Sequence, residues 1–112
     1  VLIPVQPQYY AADGLTELLK VVKGTKKRFN PEIEVEGILF TMDSARYNNS
    51  KRNKKAVKEA YGKEMRVFEN SIPRSEAIAE IASEGISIFE YDSRSKGAKS
   101  YEMLAQEVLN RA

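Results

Sequence analysis

The stretch Thr41-Met42-Asp43-Ser44-Ala45-Arg46 sets hydroxyl, thioether, carboxylate and guanidinium groups side by side, directly after an apolar run that opens at Val35. In open α/β sheets, ligands gather just beyond the carboxyl ends of parallel strands, so a buried strand ending in small polar groups marks the first place to look for a site. Other chemistry is sparse. Glu32, Glu34 and Glu36 alternate along the approach to the strand and suggest either a carboxylate cluster or a solvated edge; no second ligand shell accompanies them. The chain has no Cys and no His. Disulfides, thiolate nucleophiles, the commonest zinc ligands and the commonest general base are therefore excluded.

The stretch is also an electrostatic boundary. Between Ser44 and Phe68, eight basic residues (Arg46, Lys51, Arg52, Lys54, Lys55, Lys58, Lys63 and Arg66) stand against Glu59 and Glu64, a local net charge of +6 in a chain whose total is +2. A balanced total argues for no particular partner, whereas a concentrated patch suits a phosphate backbone or, equally, a solvated helix face.

These residues need a scaffold. Val35 to Met42 suits a strand buried on both faces. At 112 residues the chain is one domain or part of one; a chain of this size buries roughly two-thirds of the surface it exposes when unfolded. Val1-Leu2-Ile3-Pro4-Val5 reads as another buried strand, with Pro4 costing one ladder donor. Opening on such a run without Met fits a piece of a longer protein. Ala11, Leu15, Leu18, Leu19 and Val22 then share one face of a helix to about Phe29, where Lys26, Lys27 and Arg28 complement its dipole. Tyr9-Tyr10 reads as packing at the helix entry.

Past the central strand, Asn48-Asn49-Ser50 offers caps for a helix ending near Gly62, with Ala56, Val57, Ala60 and Tyr61 as its apolar stripe. Met65 to Phe68 reads as a third strand, and Ile72-Pro73-Arg74 as a loop. Ser75 caps a short helix stopped by Gly85. Ile86 to Tyr91 alternates apolar and polar residues, the pattern of a fourth, half-buried strand. A last helix carries Tyr101, Leu104, Ala105, Val108 and Leu109 at helical spacing. Strand and helix alternating throughout imply a largely parallel α/β sheet with flanking helices. No run approaches a membrane span and no signal-peptide order opens the chain, so the expectation is a soluble cytoplasmic protein.

Several spaced segments together resemble the carboxyl-terminal half of ParA-type partition ATPases, relatives of MinD in the deviant P-loop family. They are Val1-Leu2-Ile3-Pro4-Val5-Gln6-Pro7-Gln8-Tyr9-Tyr10-Ala11, Asn30-Pro31, Glu36-Gly37-Ile38-Leu39 with Thr41-Met42, Ile72-Pro73-Arg74, and Tyr91-Asp92 with Ser95-Lys96-Gly97-Ala98. The resemblance covers nearly all of residues 1–112, which it implies are a single partial domain of a P-loop NTPase fold. It implies ATP or ADP with Mg²⁺ in the intact protein, an activator of the ParB type, and nucleoid association. By the same resemblance, Thr41, Met42, Pro73 and Arg74 line the adenine side of the nucleotide, and Arg46 belongs to an edge that binds DNA without sequence preference; Lys51, Arg52, Lys54 and Lys55 add charge beside it.

Two departures qualify what is carried over. The sequence has no G-x-x-x-x-G-K-[ST] loop to cradle phosphates, so the expectation is that this chain alone holds nucleotide weakly and does not hydrolyse ATP. Many relatives carry a second arginine where Ala77 stands, which points to a reduced or displaced DNA surface. An unpaired Val1–Val5 edge would invite a homo-oligomer. Two functions stay open: part of a partition-type ATPase, or a stand-alone, non-catalytic module acting through self-association or binding of protein or DNA.

Overall fold

The computed structural model describes residues 1–44, 46 and 48–110; Ala45, of the Asp43-Ser44-Ala45-Arg46 motif, lies outside the described residues. Strand β1 (Leu2–Val5) leads through a short 3-10 turn (Pro7–Tyr9) into helix α1 (Ala12–Arg28). Strand β2 (Gly37–Phe40), helix α2 (Asn48–Tyr61), helix α3 (Glu76–Glu84), the short helix α4 (Ile88–Asp92) and helix α5 (Lys96–Leu109) follow. The strands β1 and β2 pair in parallel, with Ile3 opposite Ile38 and Val5 opposite Phe40.

All four residues of β2 are buried, as a strand covered on both faces must be. Alternation along a strand sends Ile38 and Phe40 to one side and Leu39 to the other. On the first side they join Ile3, Leu15, Leu19 and Val57, so α1 and α2 cover that face. On the second, Leu39 packs with Phe68, Ile72 and Leu104, which brings in α5. Burying an aliphatic or aromatic side chain of this kind contributes about 1.5–3 kcal/mol.

The expected third strand is present only as extended backbone. Ile38 donates to the Arg66 carbonyl at 2.9 Å and Phe68 to the Ile38 carbonyl at 2.9 Å, giving one parallel bridge, Ile38 to Val67, rather than a full strand. Gly37 opens β2 at φ +152°, and a Cβ there would meet the Arg66 carbonyl oxygen and the Phe68 ring, both at 2.8 Å. Glycine is therefore what lets this segment approach β2 closely.

Ile86 to Tyr91 corrects the sequence expectation: Ile88–Asp92 is helical, with no strand at that position. Six alternating residues satisfy either period. Ser87 decides it locally, its Oγ accepting from the Glu90 amide at 3.2 Å as an N-cap, while Ile88 is buried and Phe89 exposed. The Tyr91 hydroxyl also donates to the Glu80 carboxylate, fixing α4 to α3.

Ser75 and Ser95 cap α3 and α5 in the same way, accepting from Ile78 and Ala98, and Gly85 ends α3 in the left-handed conformation. The stripe expected on α5 is only partly used: Leu104 is buried, whereas Tyr101, Val108 and Leu109 are exposed. Among the described residues no helix is long and apolar enough to cross a membrane.

Candidate functional site

The site grows out of the carboxyl end of β2. Thr41 donates its amide to the Val5 carbonyl at 2.9 Å, extending the β1 ladder by one bond. On the other side, residues 72–74 run beside the end of β2: Ile72 donates to Phe40 at 2.9 Å, Asp43 to Ile72 at 3.0 Å and Arg74 to Asp43 at 3.2 Å. This parallel ladder brings Thr41 and Met42 beside Pro73 and Arg74. All four line one cavity of about 520 Å³. Ile72, Ser75, Glu76, Ile78, Ala79 and Tyr101 complete its wall, so the lining is mostly apolar with a few convergent polar groups.

Met42 adopts φ +48°, the one non-glycine residue with positive φ among those described. Left-handed backbone costs a residue with a Cβ about 1–2 kcal/mol. Here the ladder on both sides holds it, and such backbone is common where a side chain is aimed at a ligand.

Asp43 ties three segments together. Its Oδ2 accepts from Lys54 Nζ at 2.8 Å and from Ser71 Oγ at 3.0 Å, joining the end of β2 to α2 and to the loop before Pro73. The Asp43 side chain is only 10% exposed, so this ion pair is better shielded than a surface one. On the far side, Glu107 of α5 clamps the same loop: its carboxylate accepts from the Glu69 amide at 2.9 Å, the Asn70 amide at 3.0 Å and Asn70 Nδ2 at 2.7 Å. Burial alone pushes this carboxyl up, but the three donors and the nearby Arg66 charge outweigh it, and the group lies below its ordinary value.

The five basic residues singled out in the sequence are not equivalent. Arg46, Lys51 and Arg52 are exposed. Lys55 is exposed too and sits 3.9 Å from Glu59 one turn on. Lys54 is committed to Asp43 and half-buried. Glu32, Glu34 and Glu36 are exposed, and no group of three side chains able to hold a metal ion occurs among the described residues.

Sequence reasoning missed Tyr101 and Glu107. Helical spacing puts Tyr101 in the apolar stripe of α5, and nothing in that spacing separates a cavity wall from a core. Glu107 reads as one of many surface carboxylates until the loop it clamps is in place.

A parallel strand pair with helices on both faces and a cavity at the carboxyl ends of its strands is an α/β arrangement consistent with a partial P-loop NTPase fold. Sequence comparison supplies the family. The chain is 39% identical over 111 residues to the chromosome-partitioning ATPase Soj of Treponema pallidum, covering 99% of this chain and 43% of that protein. It is 39% identical over 111 residues to the chromosome partitioning protein ParA of Myxococcus xanthus, covering 99% of this chain and 38% of that one. It is also 41% identical over 108 residues to the sporulation initiation inhibitor protein Soj of Bacillus subtilis, covering 96% and 42%. No family model matches the chain. Proteins named Soj and ParA thus match nearly the whole of this chain, and the chain spans about two fifths of their length.

Proposed function

We propose that the chain forms the base-side part of the nucleotide site of a ParA-type ATPase acting in chromosome or plasmid partitioning. The observation that carries the reading is the shared cavity of Thr41, Met42, Pro73 and Arg74, drawn from two separate segments by the ladder between residues 40–43 and 72–74. In this reading a planar base lies in the cavity against Met42 and Pro73, and the Thr41 hydroxyl and the Arg74 guanidinium supply its polar contacts. The Treponema pallidum relative is named an ATPase, so in this reading ATP or ADP with Mg²⁺ is the ligand of the intact assembly. This sequence supplies no glycine-rich phosphate loop, and base contacts alone give weak binding. The chain by itself is accordingly inactive toward ATP.

The exposed Arg46, Lys51, Arg52 and Lys55 form the DNA-facing edge in this reading. Lys54 contributes through Asp43 rather than by direct contact. Phosphate contacts release counterions, so DNA affinity falls as salt rises. A ParB-type activator and a location at the nucleoid in the cytoplasm follow from the same family reading.

Adenosine, which carries no phosphate, tests the cavity. Added to the labelled chain, it should shift the amide resonances of residues 41–43 and 72–76 and leave those of α1 unmoved. Shifts confined to other residues, or none at millimolar adenosine, refute the reading.

One observation favours a second reading, self-association. The outer edge of β1 has no partner strand among the described residues. Beside it, Ile3, Val5, Tyr9, Leu15 and Leu18 border a largely apolar groove of about 630 Å³. An exposed edge of this kind templates pairing with another copy. A monomer by light scattering at high concentration refutes it.

A further inference from the structure

Residues 69–71 leave the sheet just before they reach the base-side cavity. Ile38 accepts from the Phe68 amide at 2.9 Å, and the next carbonyl on that side of β2, Phe40, accepts from Ile72 at 2.9 Å. The step from Ile38 to Phe40 is two residues and the facing step from Phe68 to Ile72 is four, so the segment carries two residues more than a regular parallel ladder takes up and arches away as a bulge. Beyond the arch the irregularity passes to β2. Ile72 bonds to Phe40 and to Asp43, three residues apart where a regular ladder has two, and Met42 at φ +48° absorbs the difference. These two offsets set where Pro73 and Arg74 stand against Thr41 and Met42.

An arch leaves backbone donors that the ladder no longer serves. In a regular continuation the Asn70 amide would reach the Phe40 carbonyl, which here accepts from Ile72. The Glu107 carboxylate takes its place: Oε1 accepts from the Asn70 amide at 3.0 Å and from Asn70 Nδ2 at 2.7 Å, and Oε2 accepts from the Glu69 amide at 2.9 Å. At the other end of the arch, Ser71 Oγ donates to Asp43 at 3.0 Å. The helix that supplies Glu107 also supplies Tyr101 to the cavity wall, and its Leu104 packs with Leu39, Phe68 and Ile72 beneath the arch. One helix thus carries part of the cavity wall and the clamp on the segment that forms another part.

We propose that Glu107 is a positioning residue for the base-side cavity: by holding the arch it fixes the register of residues 72–74 against the end of β2 and keeps that register matched to Tyr101. Glu107 is not part of the cavity lining and acts through Glu69 and Asn70. A slip of one residue along a strand turns each side chain to the opposite face, which would take Pro73 and Arg74 out of the cavity. As to ligand, this role rests on the base-side reading; as to geometry, it stands on the hydrogen bonds alone.

Two measurements on the labelled chain test it. Without ligand, Glu107→Ala should shift the amide resonances of residues 41–43 and 72–74 as well as those of residues 69 and 70, and speed hydrogen exchange at the Ile72 and Arg74 amides. With adenosine, Glu107→Ala should bind about fivefold or more weakly than the parent, and Glu107→Gln, which keeps one carbonyl acceptor, should recover part of the loss. Should Glu107→Ala fail to fold, Glu107→Gln against the parent carries both comparisons. Val57→Ala trims the core on the opposite face of β2; it should lower the urea midpoint and leave adenosine affinity unchanged, which separates positioning from lost stability. Shifts confined to residues 69 and 70 and the end of α5, adenosine affinity equal to the parent's, or an equal loss in Val57→Ala overturn the proposal. A parent chain that binds no adenosine refutes the base-side reading, and the ligand-free measurement then decides the positioning role: changes reaching residues 41–43 and 72–74 support it, and their absence overturns it.

Discussion

Replacing Glu107 by alanine costs one loop three hydrogen bonds at a single stroke. The Glu69 amide, the Asn70 amide and Asn70 Nδ2 lie 2.9, 3.0 and 2.7 Å from its carboxylate oxygens. A shielded hydrogen bond to a charged group contributes about 1.5–3 kcal/mol. Asn70 and Glu107 are half-buried and Glu69 is exposed, so water can take over part of the bonding. A loss of about 1.5–2.5 kcal/mol for all three together is the discounted expectation. The effect depends on pH. Because the folded carboxyl lies below its ordinary value of 4.5, its stabilisation is complete above that value and disappears as pH falls through the lower folded value. Urea unfolding followed by circular dichroism, at neutral pH and at about pH 3, measures the difference between parent and Glu107→Ala under both conditions. The gap should be clear at neutral pH and shrink in acid. Glu107→Gln, which keeps one carbonyl acceptor but no charge, should fall between the two. A gap of equal size at both pH values, or no gap at neutral pH, refutes the clamp as described.

Three further substitutions probe the scaffold and site. Gly37→Ala places a Cβ at 2.8 Å from both the Arg66 carbonyl oxygen and the Phe68 ring at φ +152°, and should lower stability by about 2–4 kcal/mol in urea unfolding. Asp43→Ala leaves Lys54 and Ser71 without their common acceptor; it should cost about 1–3 kcal/mol and broaden the amide resonances of residues 71–74. Met42→Gly relieves the positive φ, so thermal unfolding should show stability unchanged or raised by up to about 1 kcal/mol while adenosine shifts diminish, the signature of strain kept for a ligand.

Much of this organisation was legible in the residues themselves. The buried character of β2 followed from its unbroken apolar run, the extent of α1 and the end of α2 from their apolar stripes, and the bounds of α3 from Ser75 and Gly85; α2 starts earlier than expected, so Asn48, Asn49 and Ser50 lie within the helix instead of capping it. What failed was non-local. Ile86 to Tyr91 carries an alternation compatible with a strand, but no neighbouring backbone takes up the pairing, and Ser87 starts a helix instead. Met65 to Phe68 pairs for one bridge only, its partner Ile38 lying beside the glycine that permits the approach. The grouping of Thr41 and Met42 with Pro73 and Arg74 came from the family resemblance, and the ladder at residues 40–43 supplies its physical basis. Lys54 illustrates the limit of counting charges. In the sequence it is one lysine among many, and only the fold shows that Asp43 has claimed it.

Arg74 belongs to the linings of two cavities at the end of β2, the base-side cavity and a smaller one that it shares with Asp43, Lys51, Lys54 and Lys96. A guanidinium has five N–H donors in one rigid plane, and it cannot turn that plane fully toward two occupants at once. A ligand on one side would therefore set the orientation and residual charge met by a ligand on the other, equally in both directions by thermodynamic linkage. With one shared side chain, occupants of the two recesses would be coupled, the sign set by whether the first neutralises Arg74 or turns it toward the second.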